Sequence, residues 1–218
     1  MKKVLVLLSG GQDSCTCLVL ATKQFKNVYS ISFDYGQRHR IELECSKKLA
    51  DLAGVEHFEM PISSLKFLGD SSLIGLDENI DNYHRGDQSL PASFVPGRNY
   101  LFLGLAAAKA YQLGVHHLMT GVCQTDFSGY PDCRDTSIKA VQGALFLCLD
   151  YPIYIHTPLM WKTKAETIFM MKELGKLDWY RYTHTCYEGG AIPCGKCPAC
   201  KLRARGFEEA GIVDPLMW

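Results

Sequence analysis

Two short strings in this chain carry residue types at spacings that chemistry can use. The first is Leu-Leu-Ser-Gly-Gly-Gln-Asp-Ser, residues 7–14. An apolar run that reads as a buried strand breaks there on two glycines and passes at once into residues that favour helix starts. Gly10 and Gly11 would leave amide N–H groups bare where the positive end of a helix dipole also points, which suits an anion. A Cβ at either position would hold a phosphate away from the backbone. Ser9 and Ser14 add hydroxyl donors at the rim, and Asp13 is placed either to cap the helix or to hold a Mg²⁺ ion bridging phosphates. The string has neither the lysine of G-x-x-x-x-G-K-[ST] nor the third glycine of G-x-G-x-x-G. A glycine pair alone favours the plainer reading, a tight turn into a capped helix.

The second string is Cys-Tyr-Glu-Gly-Gly-Ala-Ile-Pro-Cys-Gly-Lys-Cys-Pro-Ala-Cys, residues 186–200, with the spacing C-x7-C-x2-C-x2-C. Each C-x2-C step lets two sulfurs meet one ion in a tight turn, and the glycines and prolines supply the bends. Thiolates from Cys186, Cys194, Cys197 and Cys200 would close a tetrahedral Zn²⁺ site with no vacancy, which is the form of a structural site. Binding of that kind contributes on the order of 10–16 kcal/mol at neutral pH. An iron–sulfur cluster is the competing metal, since C-x2-C-x2-C also begins a ferredoxin-type run. His184 could replace one of the sulfurs.

The totals bound the rest. At 218 residues and 47% hydrophobic content the chain can fill one sizeable core with a small appendage. Twenty-three basic against 23 acidic residues leave no net charge, so the basic footprint of a nucleic-acid binder is missing and no nucleic-acid partner is expected. The apolar stretch after the two N-terminal lysines is too short for a signal peptide's core, and no run approaches the roughly 20 residues of a membrane span. The expectation is a cytoplasmic protein with no membrane partner. Ten cysteines in such a compartment call for metal binding, reactivity or burial rather than disulfides.

Elements that could position the two strings follow an alternating pattern. "KVLVLL" (3–8) and "NVYSISF" (27–33) read as strands, "DSCTCLVLATKQF" and "RIELECSKKLADLAG" as helices, the second stopped by Gly54. A short strand at 56–60 follows, then a helix through "RNYLFLGLAAAKAYQLG", a strand at "HHLMTG" and an amphipathic helix over 162–175. This alternation predicts an α/β fold, a parallel sheet with helices on both faces. We divide the chain into a nucleotide-binding α/β domain over 1–177 and a zinc-binding segment over 178–218. Between Pro61 and Val95 little periodicity remains, and a loop this long is either a lid over the site or a surface insertion.

Further polar residues fall at strand ends, on the ligand side of such a sheet. "FDYGQRHR" offers Asp34 and Tyr35; "FVPGRN" puts Arg98 and Asn99 at a helix start; "TDFSGYPDCRDT" offers Asp126, Tyr130, Asp132 and Arg134. Lys162 and Lys164 open the next helix. Together these could line one pocket in which arginine pairs with a carboxylate and aspartate meets a guanine-like edge. Cys123 and Cys133 would be nucleophiles for thiol transfer if exposed, and inert if buried.

The string S-G-G-x-D-S after a strand resembles the PP-loop of the ATP pyrophosphatase superfamily, whose members cradle the β- and γ-phosphates of ATP and transfer AMP to a substrate oxygen. From "LLSGGQDS" through "DYGQRHR", "VPGRN", "SGYPDCR" and "TKAET" to "CGKCPAC", nearly the whole chain resembles the 7-cyano-7-deazaguanine synthase family, QueC, of queuosine biosynthesis. The resemblance implies a Rossmann-like, adenine nucleotide alpha hydrolase-like fold and a ligase that converts 7-carboxy-7-deazaguanine, ammonia and ATP to the nitrile. It implies Leu8, Ser9, Gly10, Gly11, Gln12, Asp13 and Ser14 as the ATP loop, with Mg²⁺ near Asp13. Arg98 or Arg134 would orient the substrate carboxylate, and Asp34, Tyr35, Asn99, Tyr130, Asp132 and Lys164 would line the substrate site, with Asp132 on the purine-like edge. A homodimer is also implied. The rival enzymes are a PP-loop tRNA thiolase and a glutamine-dependent amidating enzyme; the non-enzymatic rival is a zinc-stabilised nucleotide sensor.

Overall fold

Val4 and Val6 alternate with Leu5 along the first apolar run, and the alternation sends them to opposite faces of a sheet that is covered on both sides. The computed structural model describes residues 2–37, 39–62, 83–84, 87–91, 93–125 and 130–217. In chain order it contains β1 (Lys3–Leu7), α1 (Gln12–Gln24), β2 (Asn27–Asp34), α2 (Ile41–Ala53) and β3 (Glu56–Pro61). There follow a small antiparallel pair, β4 (Tyr83–His84) and β5 (Asp87–Pro91), then α3 (Arg98–Leu113) and β6 (His117–Met119). The chain continues through α4 (Asp135–Leu149), β7 (Tyr154–His156), α5 (Lys164–Glu173) and α6 (Pro198–Ala210).

Five strands form one sheet in the order β3-β2-β1-β6-β7, and every pair in it is parallel. The register between β1 and β2 runs unbroken from Lys3 opposite Asn27 to Leu7 opposite Ile31. Strand order reverses between β1 and β6, and at such a switch point a crevice opens beyond the carboxyl ends of the strands. One face of the sheet packs Val4 and Val6 against Cys15 and Leu18 of α1, Leu49 of α2, and Ile168 and Met171 of α5. Its other face packs Leu5 and Ile31 against Leu103, Ala106 and Ala110 of α3 and Ile138 of α4. The predicted α/β class is the one found, and α2 ends on Gly54 in the left-handed conformation.

The tail after 178 joins the first of these cores. Trp179, Tyr180, Phe207 and Ala210 are buried with the residues of β1 and α1. The fully buried Tyr180 shares a 2.7 Å hydrogen bond with Thr16 of α1, so its hydroxyl has a partner where water cannot reach. Arg203 of α6 forks onto Asp214 at 2.6 and 2.8 Å and donates also to Thr183 and the Tyr180 carbonyl. A buried guanidinium satisfied this fully fixes α6 against the segment before the cysteines.

Of the stretch expected to be a lid, residues 63–82, 85–86 and 92 lie outside the described residues, as does Asp126. Among the described residues no helix is long and apolar enough to cross a membrane.

Candidate active site

The two glycines of the first string answer to different constraints. Gly10 has φ of 89°, and a Cβ there would sit 2.1 Å from the backbone oxygen of Glu42 at the start of α2. Its glycine is therefore demanded by backbone conformation and by the helix packed behind it, not by the approach of a ligand. Gly11 is extended, is the N-cap of α1 and has no side-chain cap. A Cβ on Gly11 would meet nothing closer than Ser9 Oγ at 3.5 Å, and it faces the open crevice. Here the sequence-based reason, bare backbone toward a ligand, fits the geometry.

Around them the loop is tied by its own hydroxyls. Ser14 Oγ donates to the Gly11 carbonyl at 3.0 Å, and Ser9 Oγ donates to Ser14 Oγ at 3.2 Å. The His184 amide donates to the Gly10 carbonyl at 3.0 Å, which joins the tail to the loop. Asp13, in the first turn of α1, accepts from Lys164 Nζ at 2.5 Å through Oδ2, while its Oδ1 is buried with no hydrogen-bond partner among the described residues. Lys164 is held in place by a capping box that starts α5: Thr163 Oγ1 accepts from the Glu166 amide and Glu166 Oε2 accepts from the Thr163 amide. The signal T-x-x-E is visible in the sequence.

These groups line a cavity of about 670 Å³ at the switch point, within the range of about 300–1,000 Å³ usual for ligand sites. A second set of side chains lines the same cavity. Arg98 Nη1 donates to Tyr35 Oη at 3.3 Å, Ser93 Oγ and Tyr130 Oη lie 2.5 Å apart, and Phe33 stacks on Phe102 with ring centroids 4.4 Å apart. Asn99, Tyr187 and Glu42 complete this half. Burial pushes the Tyr35 phenol up. It also raises the Glu42 carboxyl to about 8, with the Arg98 charge pulling the other way.

Of the expected site residues, Leu8, Ser9, Gly11, Gln12, Asp13, Ser14, Tyr35, Arg98, Asn99, Tyr130 and Lys164 come together on this cavity. Gly10 lies beneath it. Asp34, Asp132 and Arg134 are outside the lining. Asp34 accepts from the Gly36 amide and pairs with Arg40; Asp132 Oδ2 accepts from the Asn99 amide at 2.9 Å and so secures the start of α3; Arg134 is the N-cap residue of α4. Cys133 accepts from Asn99 Nδ2 and burial pushes its thiol up to about 12, so it is no nucleophile at neutral pH. Cys123 donates to the Lys162 carbonyl at 3.2 Å.

Sequence reasoning passed over Glu42, Gln37, Phe102, Tyr187, Lys201 and Arg205, all in the lining. Tyr187 lies beside the first cysteine and Lys201 beside the last, so the cysteine segment supplies one wall of the cavity. No local signal marks these residues, because each sits in an ordinary amphipathic or loop setting.

The four cysteines of the second string are brought together. The sulfurs of Cys186, Cys194, Cys197 and Cys200 all lie within 4.8 Å of one another and could hold one metal ion. A tetrahedral ion with Zn–S bonds of about 2.3 Å needs sulfurs about 3.8 Å apart, and Cys194 Sγ and Cys200 Sγ are 4.0 Å apart. Desolvation raises the Cys194 thiol, but backbone amides of Cys197 and Lys196, together with the Cys186 and Cys197 side chains, bring it down to about 7. His184 is not a member of the group.

A parallel sheet with a glycine-broken loop at its switch point, an uncapped helix behind the loop and a tail bearing four clustered cysteines defines an α/β protein of the PP-loop type of fold. A solved structure, a 4-thiouridine synthetase in complex with RNA and with bound ATP, has a similar fold. Its TM-score is 0.52 at 19% identity, with 96% of this chain and 50% of that one covered.

The match at sequence level is stronger. A protein of Chromobacterium violaceum named 7-cyano-7-deazaguanine synthase is 50% identical over 99% of this chain and 93% of its own length. One of the same name from Bacillus subtilis is 48% identical over 95% of this chain and 94% of its own. The family model described as queuosine biosynthesis protein QueC matches residues 3–211, and the chain belongs to that family.

Proposed function

We propose that the chain is an ATP-dependent carbon–nitrogen ligase that converts 7-carboxy-7-deazaguanine and ammonia to 7-cyano-7-deazaguanine, the activity named for its relatives. The observation that carries this reading, beyond family membership, is one cavity lined both by the loop at Ser9–Ser14 and by Arg98 with its tyrosines.

In this reading the uncapped amides at the start of α1, with Ser9, Ser14 and Lys164, receive the β- and γ-phosphates of ATP. Arg98, which has one side-chain hydrogen bond among the described residues, receives the substrate carboxylate. A carboxylate oxygen attacks the α-phosphorus and pyrophosphate leaves, stabilised by the loop. Ammonia adds to the acyl carbon and AMP departs with that oxygen, leaving the amide. The amide oxygen then takes a second AMP from ATP; loss of this AMP and of the two amide protons gives the nitrile. Each cycle would consume two ATP and release two AMP and two pyrophosphates. Lys201 and Arg205 add positive charge to the same cavity.

Two metals fit the residues present. The buried Oδ1 of Asp13, with no hydrogen-bond partner among the described residues, is the atom that would meet a Mg²⁺ ion, which would neutralise charge on the phosphates. Four thiols within 4.8 Å of one another fit a structural Zn²⁺.

The reading includes a cytoplasmic homodimer. Support for the dimer is the apolar surface at the sheet edge, where Phe146 and Leu147 of α4 and Tyr154 of β7 are exposed.

Incubation with ATP, Mg²⁺, ammonium and the acid, followed by mass spectrometry, is expected to yield the nitrile with AMP and pyrophosphate. ATP turnover that ignores the acid would overturn the reading, and tight tRNA binding would favour a thiolase. Sedimentation of the same sample tests the dimer.

A further inference from the structure

Arg98 accounts for one end of the proposed substrate, its carboxylate; nothing yet accounts for the other, the edge where the guanine-type ring carries its N1–H and amino donors. The aspartate expected for that task, Asp132, lies outside the cavity with one oxygen on the Asn99 amide. Among the described residues two carboxylates line the cavity, Asp13 and Glu42. Asp13 is engaged by Lys164 at the phosphate loop. Several other polar groups in the aromatic half are taken. Gln37 Oε1 accepts from the Tyr35 amide at 2.9 Å while its Nε2 donates to the Phe33 carbonyl, and Ser93 and Tyr130 are paired with each other.

We propose that Glu42 is the specificity-determining residue for the ring, its carboxylate accepting the two parallel N–H bonds of a guanine-type edge. This rests on the function proposed above. Glu42 lines the same cavity as the aromatic walls that would cover the ring faces, and its side chain keeps 15% of its surface. Its partner among the described residues is His39 Nε2, 3.4 Å from Oε2, and a carboxylate with about four lone-pair sites has room for two more donors. The backbone holds it rigidly, since the Glu42 carbonyl is the atom packed against Gly10. A ring read by Glu42 is thereby set beside the phosphate loop, where its acid group must meet the α-phosphorus. The groups facing Glu42 are Tyr35 just after β2, His39 from the loop that follows, Arg98 from α3, Tyr187 from the cysteine segment and Cys45 a turn along α2. Burial makes an ionised Glu42 costly when the cavity is empty. Two N–H donors offset that cost, whereas a ring lacking the amino group leaves an oxygen unpaired.

The test compares 7-carboxy-7-deazaguanine with its analogue lacking the exocyclic amine, in calorimetric binding and in turnover. The wild-type chain is expected to bind the amino acid form about 10- to 100-fold more tightly, the discrimination of a bidentate pair. Glu42→Gln, which presents one acceptor and one donor to the edge, is expected to lose that preference while still binding ATP. Glu42→Asp keeps the acceptor pair one methylene back and should retain the preference at weaker affinity. A wild-type chain that binds both compounds equally overturns the inference without any variant. So does a Glu42→Gln protein that keeps the preference; in both cases the ligase reading survives. Failure of the wild-type chain to bind or convert the acid at all removes that reading, and this inference with it.

Discussion

Gly10 and Gly11 are adjacent in sequence and alike in composition, yet they perform separate tasks. Gly10→Ala would drive a methyl into the Glu42 carbonyl and strain a positive φ, and is expected to lower the melting temperature and the yield of folded protein. Gly11→Ala has an allowed backbone and ordinary contact distances, so its melting temperature should stay near that of the wild type while ATP affinity falls. Thermal melts and nucleotide titration separate the two; equal effects of both variants on both readouts would refute the division. Glu42 allows a pH prediction. Its carboxyl is raised by burial to about 8, so its contribution to stability is whole below its ordinary value of 4.5 and is lost as pH rises through about 8. Glu42→Gln removes that loss. The difference in melting temperature, variant minus wild type, should therefore grow between pH 5 and pH 9, and a flat difference would contradict the assignment. A site that costs stability when empty is ordinary for a binding pocket.

At the scale of elements, α5 matters less for its length than for how it begins. The Thr163–Glu166 capping box fixes the first turn, and that turn carries Lys164 to Asp13. Thr163→Ala is expected to cost about 1 kcal/mol of stability and, by loosening Lys164, to weaken ATP binding as well. Chemical denaturation together with ATP titration checks both; a loss of stability with unchanged ATP affinity would mean that Lys164 needs no such anchor. The packing of α6 on α5 is equally close, since a Cβ on Gly206 would fall 2.5 Å from the Lys164 Cβ. The alternation of strand and helix was legible in the sequence because period two and period 3.6 are local properties. So was Gly54 as a stop. Placement of Asp132 and Arg134 was not, because proximity to a strand end does not say whether a side chain turns into the crevice or back onto a helix start. Asp132 turned back to meet the Asn99 amide.

At the scale of the whole molecule, the tail is folded into one of the two cores that flank the sheet. Tyr180 and Phe207 are buried against α1, and the cysteine segment contributes Tyr187 and Lys201 to the cavity wall. Removing a metal held by the four cysteines should therefore act at two places at once. Chelation of the purified protein is expected to lower its melting temperature by several degrees and also to weaken ATP binding, with both restored by adding back Zn²⁺. Metal analysis before and after supplies the stoichiometry. Loss of stability with full retention of nucleotide affinity would make the cluster a remote staple rather than part of the site wall.

What the sequence determined by itself was chemistry tied to short spacing: a glycine-broken loop between strand and helix, four cysteines within fifteen residues, the α/β alternation and the family. Each depends on neighbours in the chain, so each can be read along it. Only the tertiary structure decided which of the scattered polar residues share a cavity, why Gly10 must be glycine, and that Glu42 lines that cavity. Those depend on the packing of α2 behind the loop and of the tail beside it, and contacts between segments far apart in sequence leave no periodicity in either one.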